Sequence, residues 1–270
     1  MGKRGSSSGF QPTPPGAQAP APAAQGAQAG GAQAAAPAPA PQPEPEREKK
    51  PQPRVLTQAD IPGLQQAMGQ TGYEAGDPNA SPDNKVYVKT SKSFNINAYL
   101  RSDGKSIAAP QNSQWDQLGY TKADAARAIR QIDAGMRPLP EDIQLTRFVG
   151  GGALGAILGN PKITSANVGR VISSLSTPAG RAKFAAALQA ASYTEKAYTS
   201  TTYVQSHPAF DVRRVRLNIV ARKGTPAIAT NNHAENEILL GHGLKYRFTG
   251  GFRVIRTPKG VDQLVIDVEI

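Results

Sequence analysis

The spacing of hydrophobic residues changes along the chain from helical to alternating. In the segment 120–136, Ala125, Ile129 and Ile132 recur at helical spacing, and the Thr121 side chain can cap the helix that they predict. Near the C-terminus, short apolar runs alternate with polar residues and are separated by Gly, Pro and Asn, as is typical of strands. Helices first and strands later predict an α+β fold with mainly antiparallel strands.

These patterns predict four helices and seven strands, and Gly104 is expected to end the second helix. The predicted helices are 56–69, 90–104, 120–136 and 180–191. The predicted strands are 143–149, 197–204, 213–221, 226–230, 237–240, 244–257 and 263–270. The first three helices are expected to form a layer that packs on the sheet.

Residues 1–54 differ in composition from the rest of the chain. They are built from Ala, Pro, Gln and Gly and hold almost no large apolar side chains. Such a segment cannot bury enough apolar surface to offset its conformational entropy, so it is predicted to be a disordered tail and linker. Residues 55–270 then form one domain, which is long enough to bury a core.

Charge and cysteine content narrow the function. The formal charge is +11, and residues 55–270 hold 25 Lys/Arg against 17 Asp/Glu, a formal +8, which favours an anionic partner such as nucleic acid or a phosphate-bearing molecule. The absence of Cys excludes thiol catalysis and cysteine-ligated metal. The start MGKRGSSSGF lacks the apolar stretch of a signal peptide, and no membrane span is predicted. We expect a cytoplasmic protein, or an effector or phage protein delivered into a host cell.

Two motifs are judged not to carry the function. Gly150, Gly152 and Gly155 spell GxGxxG after a predicted strand, but the acidic residue that a dinucleotide-binding turn needs about 20 positions later is missing. This region is therefore interpreted as a flexible glycine loop. The three histidines are too scattered to predict a metal site.

Arg147 and a row of hydroxyls are candidates for binding an anion or a sugar. Arg147 lies inside a predicted strand, where a guanidinium is costly unless it meets an anion, and its planar fork suits phosphate. Ser200, Thr201 and Thr202 lie in a row on another predicted strand and could orient a carboxylate or a ribose.

Glu235 and Glu237 are one residue apart at the start of an apolar strand. Period-two geometry would place both on one face, and a carboxylate pair near an arginine suits chemistry at a glycosidic carbon, where positive charge develops on a sugar ring. The alternative is a pair of solvated glutamates with a salt-bridged arginine in the strand, and these residues alone leave it open.

Taken in chain order, these features resemble a known family. An Arg in one strand, Ser-Thr-Thr on a second and Glu-x-Glu opening a third resemble the R-S-E class of mono-ADP-ribosyltransferases, especially the bacterial actin-modifying toxin components and related exoenzymes. The stretches 93–101, 138–147 and 221–248 also resemble this family, and the similarity runs over roughly residues 85–270. The resemblance implies a cleft for NAD between two mainly antiparallel sheets.

The resemblance also implies roles for single residues. Arg147 would hold a phosphate or ribose of NAD, and Ser200 would help to orient Glu237. Thr201 and Thr202 would bind NAD with them. Phe210 resembles an aromatic that packs on nicotinamide, and Arg213 resembles a second phosphate contact.

The resemblance implies different roles for the two glutamates. Glu237 would bind the nicotinamide ribose and stabilise the oxocarbenium-like transition state. Glu235 would face the acceptor, and Glu at this position accompanies arginine modification in the family. The adjoining TNNHA would be the recognition loop, in which His233 influences target choice.

The function predicted is transfer of ADP-ribose from NAD to an acceptor protein, at an arginine side chain, without a metal. Three alternatives stay open. They are NAD glycohydrolysis, modification of nucleic acid, which the basic charge makes physically reasonable, and a non-catalytic basic binding protein that keeps the fold.

Overall fold

A computed structural model describes residues 52–70, 93–107, 120–230 and 234–270. The predicted tail lies outside these residues except for its last three positions, and residues 231–233 of the predicted recognition loop, including His233, also lie outside them.

The predicted helices are present, and two further short helices join them. Thr121 caps the third helix as predicted, since its Oγ1 accepts a hydrogen bond from the Asp124 N–H at 3.2 Å and the Asp124 carboxylate accepts one from the Thr121 N–H at 2.9 Å. The helices are α1 (Ile61–Ala67, after a 3₁₀ turn at Gln58–Asp60), α2 (Ser93–Arg101), α3 (Lys122–Gly135), α4 (Gly151–Ile157), α5 (Val168–Ser174) and α6 (Pro178–Ala190). Among the described residues, none of the helices has the length and apolar character needed to cross a bilayer.

All seven predicted strands are present, together with three strands of two or three residues that the sequence did not predict. The strands are β1 (Arg54–Val55), β2 (Arg137–Pro138), β3 (Ile143–Val149), β4 (Tyr193–Glu195), β5 (Thr199–Thr202), β6 (Val215–Ala221), β7 (Pro226–Ala229), β8 (Glu237–Leu240), β9 (Leu244–Arg256) and β10 (Asp262–Glu269). The unpredicted strands β1, β2 and β4 are too short to show an alternating pattern.

The strands form one connected network in the order β2-β7-β8-β5-β3-β6-β10-β9-β4, with β1 added beside β3. Pairing is mainly antiparallel, as predicted; only the ladders β1–β3 and β6–β10 are parallel among the described strands. The expectation of two separate sheets is corrected. The segment 193–202 pairs with the segment 237–246 in one continuous register, and β9 continues onward to pair with β10. These two long segments therefore connect the β2-β7-β8-β5 part of the network to the β10-β9-β4 part.

Helices α2 and α3 are held on the sheet by a small apolar cluster. Ile96 of α2 and Ile132 of α3 are fully buried against Tyr198, Ile228 and Leu239. Burying an isoleucine side chain contributes about 1.5–3 kcal/mol, so this cluster holds α2 and α3 against β7, β8 and the residue that precedes β5. One face of α2 is thereby turned toward the C-terminal end of β3.

The glycine-rich segment after β3 forms helix α4, not the flexible loop predicted from the sequence. Its glycines allow a neighbouring backbone to approach closely. A Cβ at Gly151 would lie 2.3 Å from the Thr164 carbonyl oxygen, and one at Gly155 would lie 2.5 Å from the Ile163 carbonyl oxygen. Gly151 and Gly155 are therefore required for packing, whereas a Cβ at Gly152 would meet nothing within 4 Å.

Candidate active site

A cleft of about 470 Å³ opens between helix α2, strands β3 and β5, and the start of β8. This volume is within the range of ligand-binding clefts. Its lining residues are Ser93, Phe94, Asn97, Arg101, Thr146, Arg147, Phe148, Ser200, Thr201, Thr202, Phe210, Glu235 and Glu237. The structure thus brings together seven of the eight site residues predicted from the sequence, which come from four separate parts of the chain.

Ser200 and Glu237 meet across neighbouring antiparallel strands. The Ser200 hydroxyl donates a hydrogen bond to Glu237 Oε1 at 2.5 Å, and the Thr230 hydroxyl lies 3.4 Å from Oε2. Glu237 is 3% exposed, and its carboxylate lines the cleft. Two hydroxyls thus contact the two carboxylate oxygens of Glu237.

Glu235 lies in the turn that precedes β8. Period-two geometry had instead predicted that both glutamates lie on one face of a strand. Asn236 between them has a left-handed backbone (φ 51°), which asparagine tolerates better than most residues. The Tyr203 hydroxyl donates a hydrogen bond to Asn236 Oδ1 at 2.8 Å and helps to hold this turn. Both glutamates still line the cleft, but Glu235 reaches it from a loop and Glu237 from a strand.

Arg147 lines the cleft and is also anchored from behind. Its Nη1 donates hydrogen bonds to Thr199 Oγ1 and to the Tyr246 hydroxyl, both at 3.0 Å, and its Nη2 donates to Glu195 Oε2 at 3.2 Å. The anion expected near this strand arginine is present within the protein itself. The side chain is nevertheless 15% exposed and lines the cleft. Arg147 is therefore salt-bridged within the protein and also faces the space in which an anion would bind.

Glu195 also binds Arg101 on helix α2. Arg101 Nε and Nη2 donate to the two carboxylate oxygens at 3.2 and 3.3 Å. Burial opposes ionisation of Glu195, but the positive charges of Arg147 and Arg101 outweigh it and lower the pKa of this carboxyl below its ordinary value of 4.5. Glu195 is therefore a carboxylate at neutral pH, and it ties helix α2 to strand β3.

Aromatic side chains form one wall of the cleft. Phe210 stacks on Phe148 with ring centroids 5.7 Å apart, and the His207 ring also packs on Phe210, with centroids 4.9 Å apart. His207 Nδ1 accepts a hydrogen bond from the Ala209 N–H at 3.2 Å, and His207 Nε2 lies 2.7 Å from the Ala234 carbonyl oxygen. The segment that carries Phe210 is thereby linked to the turn that carries Glu235.

The remaining predicted residues differ in position. Thr201 and Thr202 line the cleft; the Thr201 hydroxyl donates to the Ile238 carbonyl at 2.6 Å, so part of its capacity is used in the strand pairing. Arg213 follows Phe210 in the same segment, with its N–H bonded to the Phe210 carbonyl, but it is not among the lining residues. A phosphate contact by Arg213 stays a prediction.

The sequence did not predict Arg101, Asn97 or Glu195 as site residues. Arg101 and Asn97 lie four residues apart on one face of α2, and the stretch that contains them was noted only as a resemblance. Glu195 belongs to β4, a strand too short to be predicted. Helical spacing from Phe94 to Arg101 could have suggested that a polar face of α2 meets the cleft.

Comparisons with known proteins agree with this geometry. The family model described as ADP-ribosyltransferase exoenzyme matches residues 79–270. The chain belongs to this ADP-ribosyltransferase exoenzyme family. Membership confirms the predicted class of enzyme, the α+β fold and NAD as the substrate. A comparison with curated proteins found no match.

Solved structures with a similar fold include bacterial toxins and exoenzymes. The ADP-ribosylating toxin BECa of C. perfringens, in a crystal structure with NADH, is 20% identical with a TM-score of 0.56, and the match covers 78% of this chain and 47% of that one. C3stau2 from S. aureus, with NAD, is 17% identical with a TM-score of 0.53, covering 83% and 98%. The C3 exoenzyme of Clostridium limosum is 21% identical with a TM-score of 0.52, covering 81% and 97%. This transferase thus spans about half the length of BECa, and at these identities the likeness is one of fold.

Proposed function

We propose that this transferase moves ADP-ribose from NAD to an arginine side chain of a protein. The observation that carries the proposal is the presence of two carboxylates of different setting in one cleft. Glu237 is buried and hydrogen-bonded to Ser200, while Glu235 lies in a turn at the cleft. One carboxylate suits a reacting sugar and the other suits an incoming donor group.

On the donor side, Arg147 and Arg101 supply positive charge for the diphosphate of NAD, and Phe210 supplies an aromatic face for the nicotinamide. Both arginines and Phe210 line the same cleft as Glu237. Guanidinium groups bind phosphate oxygens through charge-assisted hydrogen bonds, which are about twice as strong as neutral ones. Arg213, in the segment of Phe210, is proposed as a further phosphate contact.

The chemistry breaks the bond between nicotinamide and the anomeric carbon of the ribose. The bonding electrons leave with nicotinamide, which becomes neutral, and positive charge develops on the sugar ring. Glu237, held by Ser200, binds the ribose and stabilises that charge as it develops. Thr201 and Thr202 lie in the same hydroxyl row and complete the ribose side of the cleft.

On the acceptor side, Glu235 binds the guanidinium of the target arginine and orients one of its nitrogens toward the anomeric carbon. A carboxylate matches the fork of guanidinium donors, and it can take up the proton that the nitrogen loses when the new bond forms. The exoenzyme family supports an effector delivered into a host cell, and residues 230–234 are proposed to contact the target.

The acceptor is identified by incubating the full-length chain with host-cell lysate and NAD labelled in the adenylate, followed by mass spectrometry of the labelled molecules. The proposal predicts a mass increase of one ADP-ribose on arginine residues of protein. Label in nucleic acid, or free labelled ADP-ribose alone, would replace it with one of the two enzymatic alternatives. Absence of any NAD turnover would favour a binding protein that keeps the fold.

A further inference from the structure

Glu195 lies directly behind the cleft and contacts two of its arginines without lining it. The residue is 4% exposed. Its Oε1 accepts hydrogen bonds from Arg101 Nε at 3.2 Å and from the Ala197 N–H at 3.1 Å. Its Oε2 accepts from Arg101 Nη2 at 3.3 Å, from Arg147 Nη2 at 3.2 Å and from the Tyr193 hydroxyl at 3.2 Å.

These contacts use the whole acceptor capacity of the carboxylate. An ionised carboxylate offers about four lone-pair sites, and five donors already converge on Glu195. Burial and the charge of Glu195 raise the pKa of the Tyr193 hydroxyl, so it stays protonated and donates. Glu195 therefore has no acceptor site left for a substrate and acts through its neighbours.

The neighbours that matter are the two guanidinium groups. Arg147 extends from strand β3 and Arg101 from helix α2, and like charges repel when they are brought together. Glu195 offsets this repulsion from between them and leaves the group of three with one net positive charge beside the cleft. Arg101 remains half exposed, and both arginines line the cleft.

We propose that Glu195 is a positioning residue that holds Arg101 and Arg147 side by side as a paired guanidinium site for the diphosphate of NAD. The inference rests on the proposed function and adds to it the residue that sets the geometry of the diphosphate site. It also explains why β4, a strand of three residues, carries a buried carboxylate that no part of the transfer chemistry requires.

The test is Glu195→Gln in the full-length chain, with binding of NAD and of ADP measured by calorimetry. ADP carries the diphosphate without nicotinamide. Because an amide loses the charge-assisted bonds, the Kd for both ligands is expected to rise about 10- to 100-fold. The kcat at saturating NAD should change by less than about threefold, since Glu195 touches no reacting atom.

Glu269→Gln is the matched control. Glu269 also joins two arginines, Arg222 and Arg247, on the strand network but not at the cleft. It should lose stability without a change in the Kd of ADP. A double-mutant cycle with Arg101→Gln should show that the two losses in affinity are not additive, because Glu195 acts through Arg101.

The outcomes separate the inference from the function on which it rests. If wild type binds NAD and Glu195→Gln binds NAD and ADP equally well, the positioning role is wrong while the proposed function stands. If wild type binds and turns over no NAD, the proposed function itself fails. Should Glu195→Gln not fold, Tyr193→Phe removes one donor to the same carboxylate and is expected to raise the Kd of ADP about two- to fivefold. No rise in that variant would overturn the positioning role.

Discussion

The hydrogen bond between Ser200 and Glu237 is the contact that connects the strand pairing most directly to the proposed chemistry. It joins a predicted hydroxyl to a predicted carboxylate at 2.5 Å, across strands β5 and β8. A buried carboxylate that is fixed before the substrate arrives needs no reorganisation as charge develops on the sugar. The strength of this single contact is therefore expected to appear in kcat.

Ser200→Ala removes the donor and leaves Glu237 in place. A hydrogen bond to a charged group contributes about 1.5–3 kcal/mol, so kcat for nicotinamide release should fall roughly 10- to 100-fold. Steady-state kinetics at saturating NAD measures this change. Ser174→Ala is the control, since that hydroxyl donates only to the Val171 carbonyl on α5, and it should leave kcat unaltered. Full activity of Ser200→Ala would show that Glu237 does not depend on this bond.

The residues proposed to carry the chemistry could be identified in the sequence only where their order along the chain was informative. Arg147, Ser200, Glu235 and Glu237 follow one another in a recognisable order, and all four line the cleft. Glu195 could not be predicted, because its contact with Arg101 joins residues 94 positions apart on elements whose docking the local pattern does not encode.

At the level of elements, the glycine-rich segment after β3 was predicted to be a flexible loop, but it forms helix α4. Gly150, Gly152 and Gly155 have the spacing of a nucleotide-binding turn, and the missing acidic residue argued against that site. What the sequence could not show is that the Ile163–Thr164 backbone approaches Gly151 and Gly155 from eight or more residues away. Close packing, which is a tertiary property, turned the expected loop into a helix.

Two glycines of α4 give opposite predictions for the same substitution. In Gly151→Ala the new Cβ would meet the Thr164 carbonyl at 2.3 Å, so the backbone must shift and the melting temperature should fall. In Gly152→Ala nothing lies within 4 Å, and alanine favours the helix over glycine by about 0.5–1 kcal/mol, so the melting temperature should rise slightly. Calorimetry of both variants measures the pair. Equal shifts in the two would contradict the packing described for α4.

For the whole molecule, the fold class followed from the pattern of the chain, while the joining of the strands into one network did not. Alternation predicted the long strands. It cannot reveal that the segments 193–202 and 237–256 pair with each other twice, through β5 and β8 and again through β4 and β9, and that β9 also pairs with β10. The net charge also did not show how the charged side chains are paired with one another. Arg247, Arg253 and Arg256 on β9 pair with carboxylates on β10, so the basic composition is partly balanced within the ladder itself.

Truncation tests where the catalytic unit begins. The cleft-lining residues that the structure describes lie between Ser93 and Glu237, so removing residues 1–51 is expected to leave kcat/KM for NAD within about twofold. Removing residues 1–56 also takes away β1, whose Arg54 contacts Glu141, Asp60 and the Asp142 carbonyl. The melting temperature should then fall, by about 2–4 °C for each kcal/mol lost. A large loss of activity in the shorter truncation would place part of the enzyme within residues 1–51.

The division of labour between the two glutamates is tested most directly by comparing Glu235→Gln with Glu237→Gln. For each variant and wild type, nicotinamide release and transfer to agmatine, a small guanidine acceptor, are measured in the same reaction. Glu237→Gln should lose nicotinamide release by roughly 100-fold or more, because the stabilising charge at the sugar is gone. Glu235→Gln should keep nicotinamide release within about tenfold but lose transfer by roughly 100-fold, since only the acceptor is no longer oriented. Transfer at the wild-type rate by Glu235→Gln, or undiminished nicotinamide release by Glu237→Gln, would contradict the roles assigned to the two residues.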